Sequence, residues 1–291
     1  MIKIFPKTVC SFSRTSLLTL LFCAIPSLGH ASGGISLDPN ASPTMVTQVQ
    51  AIEPIKTAAP VKPANSATPT IKSGVKESIL PYQAEYKISS NSLTTTATRT
   101  LIKQGNKWLL SQHAKLMFIK VKEESVIEST DEGLRPLHYE YENNMSSKQD
   151  QSINFDWATS SASDNKYRKP WSSKISDDTF DQLGAQLKMR ESLISHRLGK
   201  EMSQTVVNRG KHKTYTIKKI GEETIDSAVG KLNTVKLLRS RPGSSSETTV
   251  WMAKDWNYLI VRLEQREDDE VYSLELINAT LDGTAIKGLS Q

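Results

Sequence analysis

From residue 80 onward the chain alternates between apolar and polar positions. In LPYQAEYKIS, Tyr82, Ala84, Tyr86 and Ile88 take turns with Gln83, Glu85, Lys87 and Ser89. That is the period of a strand with one buried face. Alternating or β-branched stretches recur at 93–102, 107–118, 121–128, 137–142 and 152–157. A second series follows at 204–208, 213–220, 223–227, 232–239, 247–253, 259–265 and 270–276. Turn signals such as Gly105-Asn106 and Asp131-Glu132-Gly133 separate them. Short strands at this spacing predict a mainly β domain over 80–285, an antiparallel curved sheet forming a barrel or half-barrel.

One segment departs from this period. Phe180, Leu183, Leu187, Ile194 and Leu198 recur at helical spacing, predicting one amphipathic helix over about 178–198. Asp177 or Asp178 caps its start and Gly199 ends it. Its stripe is buried most economically against the concave face of the sheet. In SINFDWAT, strand geometry puts Ile153, Phe155 and Trp157 on one face and Asp156 on the other.

The first 79 residues follow neither pattern. Lys3, Lys7 and Arg14 precede a short apolar run, Leu17 to Leu28, and Gly29-His30-Ala31 supplies small residues before a cut near Ala31. This predicts a secretory signal peptide over 1–31, too short to serve as a stable membrane span. Residues 32–79 are rich in Ala, Pro, Thr, Ser and Lys, the composition of a disordered tether. Both cysteines, Cys10 and Cys23, fall in the leader, so the exported domain is expected to hold together without a disulfide. No later run is long enough to cross a membrane. Export from a bacterial cytoplasm places the product in the periplasm.

The charge of +6 falls to +3 without the three leader cations, and with export this argues against nucleic acid as a partner. His113, His138, His196 and His212 show no metal-ligand spacing. No Gly-x-Ser-x-Gly elbow or phosphate-cradling glycine loop occurs. No catalytic residue, metal or cofactor is therefore expected. The acidic pairs Glu123-Glu124 and Glu222-Glu223 and the run Asp268-Asp269-Glu270 read as solvated strand ends or turns. KHKTYTIKK, residues 211–219, reads as a basic strand end balanced by Glu222 and Glu223. The large side chains say more. Tyr86, Trp108, Phe155, Trp157 and Trp251 fall on predicted strands, with Leu183 and Leu187 on the helix. A curled sheet carrying them either fills its interior or lines an apolar pocket. These seven are the candidate ligand-lining residues.

The segments LPYQAEYKI, GLRPLHYEYE, SINFDWA, DQLGAQLKMRESL, GEETIDSAVGKLNTVKLLR and TTVWMAKDWNYLIVRLEQRE occur in that order. Together they resemble the bacterial exported family termed domain of unknown function 3108. The resemblance implies an antiparallel β fold similar to periplasmic half-barrels, among them lipoprotein carriers and polysaccharide-export accessories. It brings no established reaction and no catalytic residues. The leading expectation is a periplasmic, non-enzymatic binding or accessory protein of the cell envelope that holds a lipid or glycoconjugate. The alternative is an interaction or scaffold module for an envelope protein complex. A third reading, an envelope hydrolase, requires two carboxylates converging in a cleft.

Overall fold

The computed structural model describes residues 78–90, 93–267 and 270–289. The expected leader, and the expected tether except for Ser78 and Ile79, lie outside the described residues. The expected mainly β architecture with a single helix holds. Strands β1 (Tyr82–Ser89), β2 (Thr94–Gln104), β3 (Lys107–Leu116), β4 (Ile119–Thr130), β5 (Gly133–Asn143), β6 (Gln151–Asp156), β7 (Ser161–Asp164) and β8 (Trp171–Lys174) come first. Each pairs antiparallel with the next. The connections β1–β2, β3–β4, β5–β6 and β7–β8 therefore share one rim of the sheet, and β2–β3, β4–β5 and β6–β7 share the other.

After β8 the chain crosses to the far edge of the same sheet. There it forms β9 (Thr179–Phe180) and helix α1 (Gln182–Ile194). It then returns through β10 (Glu201–Asn208), β11 (Lys211–Ser227), β12 (Gly230–Ser240), β13 (Glu247–Ala253), β14 (Leu259–Glu267) and β15 (Glu270–Leu281). A two-residue strand, β16 (Thr284–Ala285), folds back on β15. Strand β15 pairs with β1, which joins the two series, and β9 pairs parallel with β10. The sheet curls without a closing ladder. Its edges meet through side chains instead: Ser173 Oγ lies 2.7 Å from His212 Nε2, and Arg209 N donates to Gln151 Oε1 at 2.9 Å. Gly210, at φ +71°, lies under Trp171, whose Cγ would be 2.9 Å from an added Cβ. A side chain there would open the seam.

Alternation sorts the two faces. Tyr82, Ala84, Tyr86 and Ile88 are buried, as their spacing predicts. On β4 the buried set is Val121, Glu123, Ser125 and Ile127. Helix α1 packs against β3, β4, β9 and β10. Burying Leu183, Leu187 and Ile194 stabilises the domain by about 1.5–3 kcal/mol each.

Several expected boundaries shift. The helix starts at Gln182 because Asp181, not Asp177 or Asp178, is the N-cap. Asp178 is occupied elsewhere, accepting from Ser176 Oγ and Thr205 Oγ1. The helix ends at Ile194 rather than near Leu198, because His196 takes a positive φ of 56° and Arg197 N turns back to Ser192 O. Nor is the helix amphipathic. Gln182, Gln186, Arg190 and Ser192 are buried along with its leucines. The two strands expected at 213–220 and 223–227 are one, β11, kinked by a bulge between Lys219 and Gly221. Order continues to the C-terminal side of residue 285. Ile286 is buried, and Gly288 N and Leu289 N donate to Val229 O and Lys231 O. Gly288 lies so close to Gly230 that an added Cβ would meet its carbonyl carbon at 2.5 Å.

Candidate functional site

The interior beneath α1 contains a band of polar side chains. Asp181 is fully buried: its Oδ1 accepts from Gly184 N at 2.8 Å and its Oδ2 from Ser125 Oγ at 2.7 Å. Two residues before Ser125 on the same face is Glu123. It accepts from Tyr139 Oη at 2.5 Å and, at 3.4 Å, from Gln112 Nε2. Arg99, 2% exposed, donates to Gln186 Oε1 on the helix at 2.5 Å. Removal from water pushes the Asp181 carboxyl up to about 6, and the nearby Glu123 charge adds to the effect; the bonds from Gly184 and Ser125 oppose it. Burial likewise raises Glu123, while Tyr139 and the Arg99 charge pull it back. Glu123 is thus an interior acid, which corrects its reading as solvated. Its neighbour Glu124 faces outward and pairs with Lys122 at 2.7 Å.

At the far end of α1, Arg190 is buried and its guanidinium reaches the tight turn after β13. Its Nε donates to Asn257 O at 2.8 Å and its Nη2 to Asn257 Oδ1 at 2.6 Å. Asn257 and Tyr258 both have positive φ, 51° and 54°. The same Asn257 amide bonds Leu80 N and Ser78 O. Arg190 therefore ties the helix to the turn and to the entry of the domain. Burial lowers its own pKa to about 10.

Of the seven candidate lining residues, Tyr86, Leu183 and Leu187 are buried to 0–2% exposure. Tyr86 Oη donates to Ile260 O at 2.8 Å, and burial raises its pKa. Trp108 and Phe155 are also buried. Trp108 Nε1 donates to Ser129 Oγ at 3.0 Å. Trp157 is half-buried and stacks on Phe155 with ring centroids 6.3 Å apart, beneath the Arg135 guanidinium. These side chains pack against protein. Trp251 is buried too, at 6% exposure, but on the other face of the sheet. Lys87, Glu275, Arg262 and Trp251 are successive cross-strand neighbours, and Lys87 is exposed between buried Tyr86 and Ile88. Trp251 thus belongs to the outer face, between Lys236 and Arg262, and donates to Glu223 Oε1 at 2.5 Å. Asp156 points outward, as its alternation predicts. It accepts from Ala158 N and from the Thr159 amide and hydroxyl, closing the β6–β7 turn, and these bonds lower its pKa.

Open space lies outside. A groove of about 640 Å³ runs over the outer wall of β2–β5; its lining includes Thr98, His113, Lys115, Lys120 and Lys122, and also the acids Glu142 and Asp150. Lys115 and Lys120 stand directly opposite each other across β3–β4, an arrangement that favours an anion between them. Beside the groove, Met117 and Phe118 form the β3–β4 turn, 79% and 63% exposed. Asn144 braces that turn, donating to Phe118 O and accepting from Lys120 N. Sequence reading runs the preceding strand through Phe118 because KLMFIK contains no glycine or asparagine to mark a turn. Met117 nonetheless adopts φ 54°. The readable signal is its run of four apolar residues between lysines.

These features define a class: an antiparallel half-barrel whose interior is occupied by one helix. The chain belongs to the family described as "Protein of unknown function (DUF3108)", whose model matches residues 82–276. No curated protein matches the sequence. Among solved structures, it is similar to a beta-barrel-like protein of domain of unknown function DUF1849 from Brucella abortus. That similarity has 7% identity and a TM-score of 0.47 over 70% of this chain and 98% of that one. A "putative lipoprotein" from Parabacteroides distasonis matches at 11% identity and TM-score 0.28, over 70% of this chain and 96% of that one. A "putative exported protein with YmcC-like fold" from Bacteroides fragilis matches at 12% and 0.28, over 71% and 95%. Among the described residues, no helix is long and apolar enough to cross a membrane.

Proposed function

We propose that the protein is an exported, non-enzymatic accessory of the cell envelope that binds through the outer wall of its half-barrel. One observation carries this reading. Helix α1 occupies the interior with eleven of its thirteen residues buried, so the expected lipid or glycoconjugate would have to displace packed core. The binding surface is instead the groove over β2–β5, where the facing Lys115 and Lys120 and the nearby His113 suit an acidic segment of an envelope protein. The sequence of the first 31 residues supports export. A hydrolytic role is disfavoured because Glu123 and Asp181, the acids that converge, are both buried and hydrogen-bonded.

Site-specific photocrosslinking in cells tests the proposal. A crosslinking residue at Thr98 or His113 is expected to capture a defined protein, and one at exposed Lys218 on the distant strand β11 is not. Equal capture from both positions, or none from the groove, would remove the reading.

A further inference from the structure

We propose that the rim formed by the β1–β2, β3–β4, β5–β6 and β7–β8 connections docks on an anionic lipid bilayer. In this arrangement Met117 and Phe118 enter the acyl boundary, and the surrounding cations meet headgroup phosphates. This goes beyond the groove reading, and either can fail without the other.

Two observations coincide on this sector. The first is apolar. Leu93, Met117, Phe118 and Met145 are 43%, 79%, 63% and 54% exposed, and all lie on these neighbouring connections. Of the other exposed large apolar residues described, Val271 lies on the same rim at the start of β15, next to β1, while Ile102, Ile220 and Leu289 stand singly elsewhere. Clustering of this kind marks an interaction surface. Asn144 holds the Met117–Phe118 tip outward by its bonds to Phe118 O and Lys120 N.

The second observation is charge. Lys115 and Lys120 flank the tip, and neither ammonium has a carboxylate partner among the described residues. Exposed Lys148 adds to them from the β5–β6 connection, and Lys166, Arg168 and Lys169 from β7–β8. Of the rim's acids, Glu247 lies at the start of β13, and Glu267 and Glu270 flank the β14–β15 connection next to β1. Within the sector, Asp150 accepts from Asn143 N, and buried Asp164 from the amides of Ser152, Lys166 and Tyr167. The opposite rim is mixed, with Asp131, Glu132 and Asp156 beside Lys103, Lys107 and Arg135, and the crossing after β8 carries Asp177 and Asp178. An anionic surface would therefore attract this basic sector more strongly than the mixed opposite rim. A protruding apolar tip encircled by cations spread over several neighbouring loops fits a bilayer interface, where apolar insertion and headgroup attraction act together.

The test is co-sedimentation of the whole protein, purified from its host compartment, with vesicles of phosphatidylcholine alone or with added phosphatidylglycerol. The anionic vesicles are expected to bind it, less so as salt rises. Lys115→Gln with Lys120→Gln should weaken binding about 30-fold, and Phe118→Ser about tenfold. Ile102→Ser on the opposite rim should leave it unchanged. These residues are exposed, so unchanged thermal melting will show that the variants fold. Absence of binding to anionic vesicles at low salt would overturn the proposal. So would equal binding by the wild type and the rim variants, whatever the groove captures in cells.

Discussion

Replacing Asp181 by asparagine removes the one interior group whose charge the fold resists most clearly. The carboxyl has a folded pKa of about 6 against an ordinary value of 3.8. The folded state therefore holds its proton more tightly than the unfolded chain does. Below about pH 3.8 both states are protonated and the contribution is intact. It is lost as pH rises toward 6 and stays lost above that. The difference corresponds to about 3 kcal/mol at neutral pH. Asparagine stays neutral throughout, can keep the bond from Gly184 N, and can donate to the Ser125 hydroxyl once that rotates. Urea unfolding followed by tryptophan fluorescence between pH 4 and pH 7 checks the sign. The stability of Asp181→Asn relative to wild type should rise by about 2–3 kcal/mol across that range. Parallel pH profiles would refute the reasoning, because they would mean that Asp181 titrates in the fold as it does in the unfolded chain.

Other substitutions probe the packing. Leu187→Ala should cost about 2–5 kcal/mol in urea unfolding if the side chain is packed on every side; a cost below about 1 kcal/mol would indicate open space around it. Arg190→Met leaves Asn257 without its guanidinium partner and should lower stability by about 2–4 kcal/mol, with faster hydrogen exchange at residues 254–258. Gly288→Ala places a methyl group against Gly230 and should release the C-terminal tail. Limited proteolysis after Ile286 reads that release, and an unchanged cleavage pattern would count against the contact.

Much of the fold was legible because a sheet with one buried face writes itself as alternation. Tyr82 to Ile88 and Ile153 to Trp157 are the clearest cases. The errors share a physical origin, since the sequence does not distinguish a polar residue in water from one hydrogen-bonded inside. Glu123 and Glu124 look alike as neighbours, yet the pleat points one at Tyr139 and the other at Lys122. The polar positions of α1 read as a solvent face, although Gln186 meets buried Arg99 on β2 and Arg190 meets Asn257 in the turn before β14. The consecutive large residues Val250, Trp251 and Met252 left no alternation to assign a face, and Trp251 turned outward. Short strands β7 to β9 had too few residues to show a period. The groove was out of reach for a different reason: it is made by register between strands, which no single segment encodes.

The central claim is that the interior is core and that binding is external. Native mass spectrometry of the protein purified from its own envelope compartment, with parallel lipid extraction, tests it most directly. The account predicts the mass of the exported chain alone once detergent and vesicles are excluded, with no lipid in stoichiometric amount. One acyl lipid or glycoconjugate retained per chain, and lost on substitution of Tyr86 or Leu187 but not of Phe118, would contradict it.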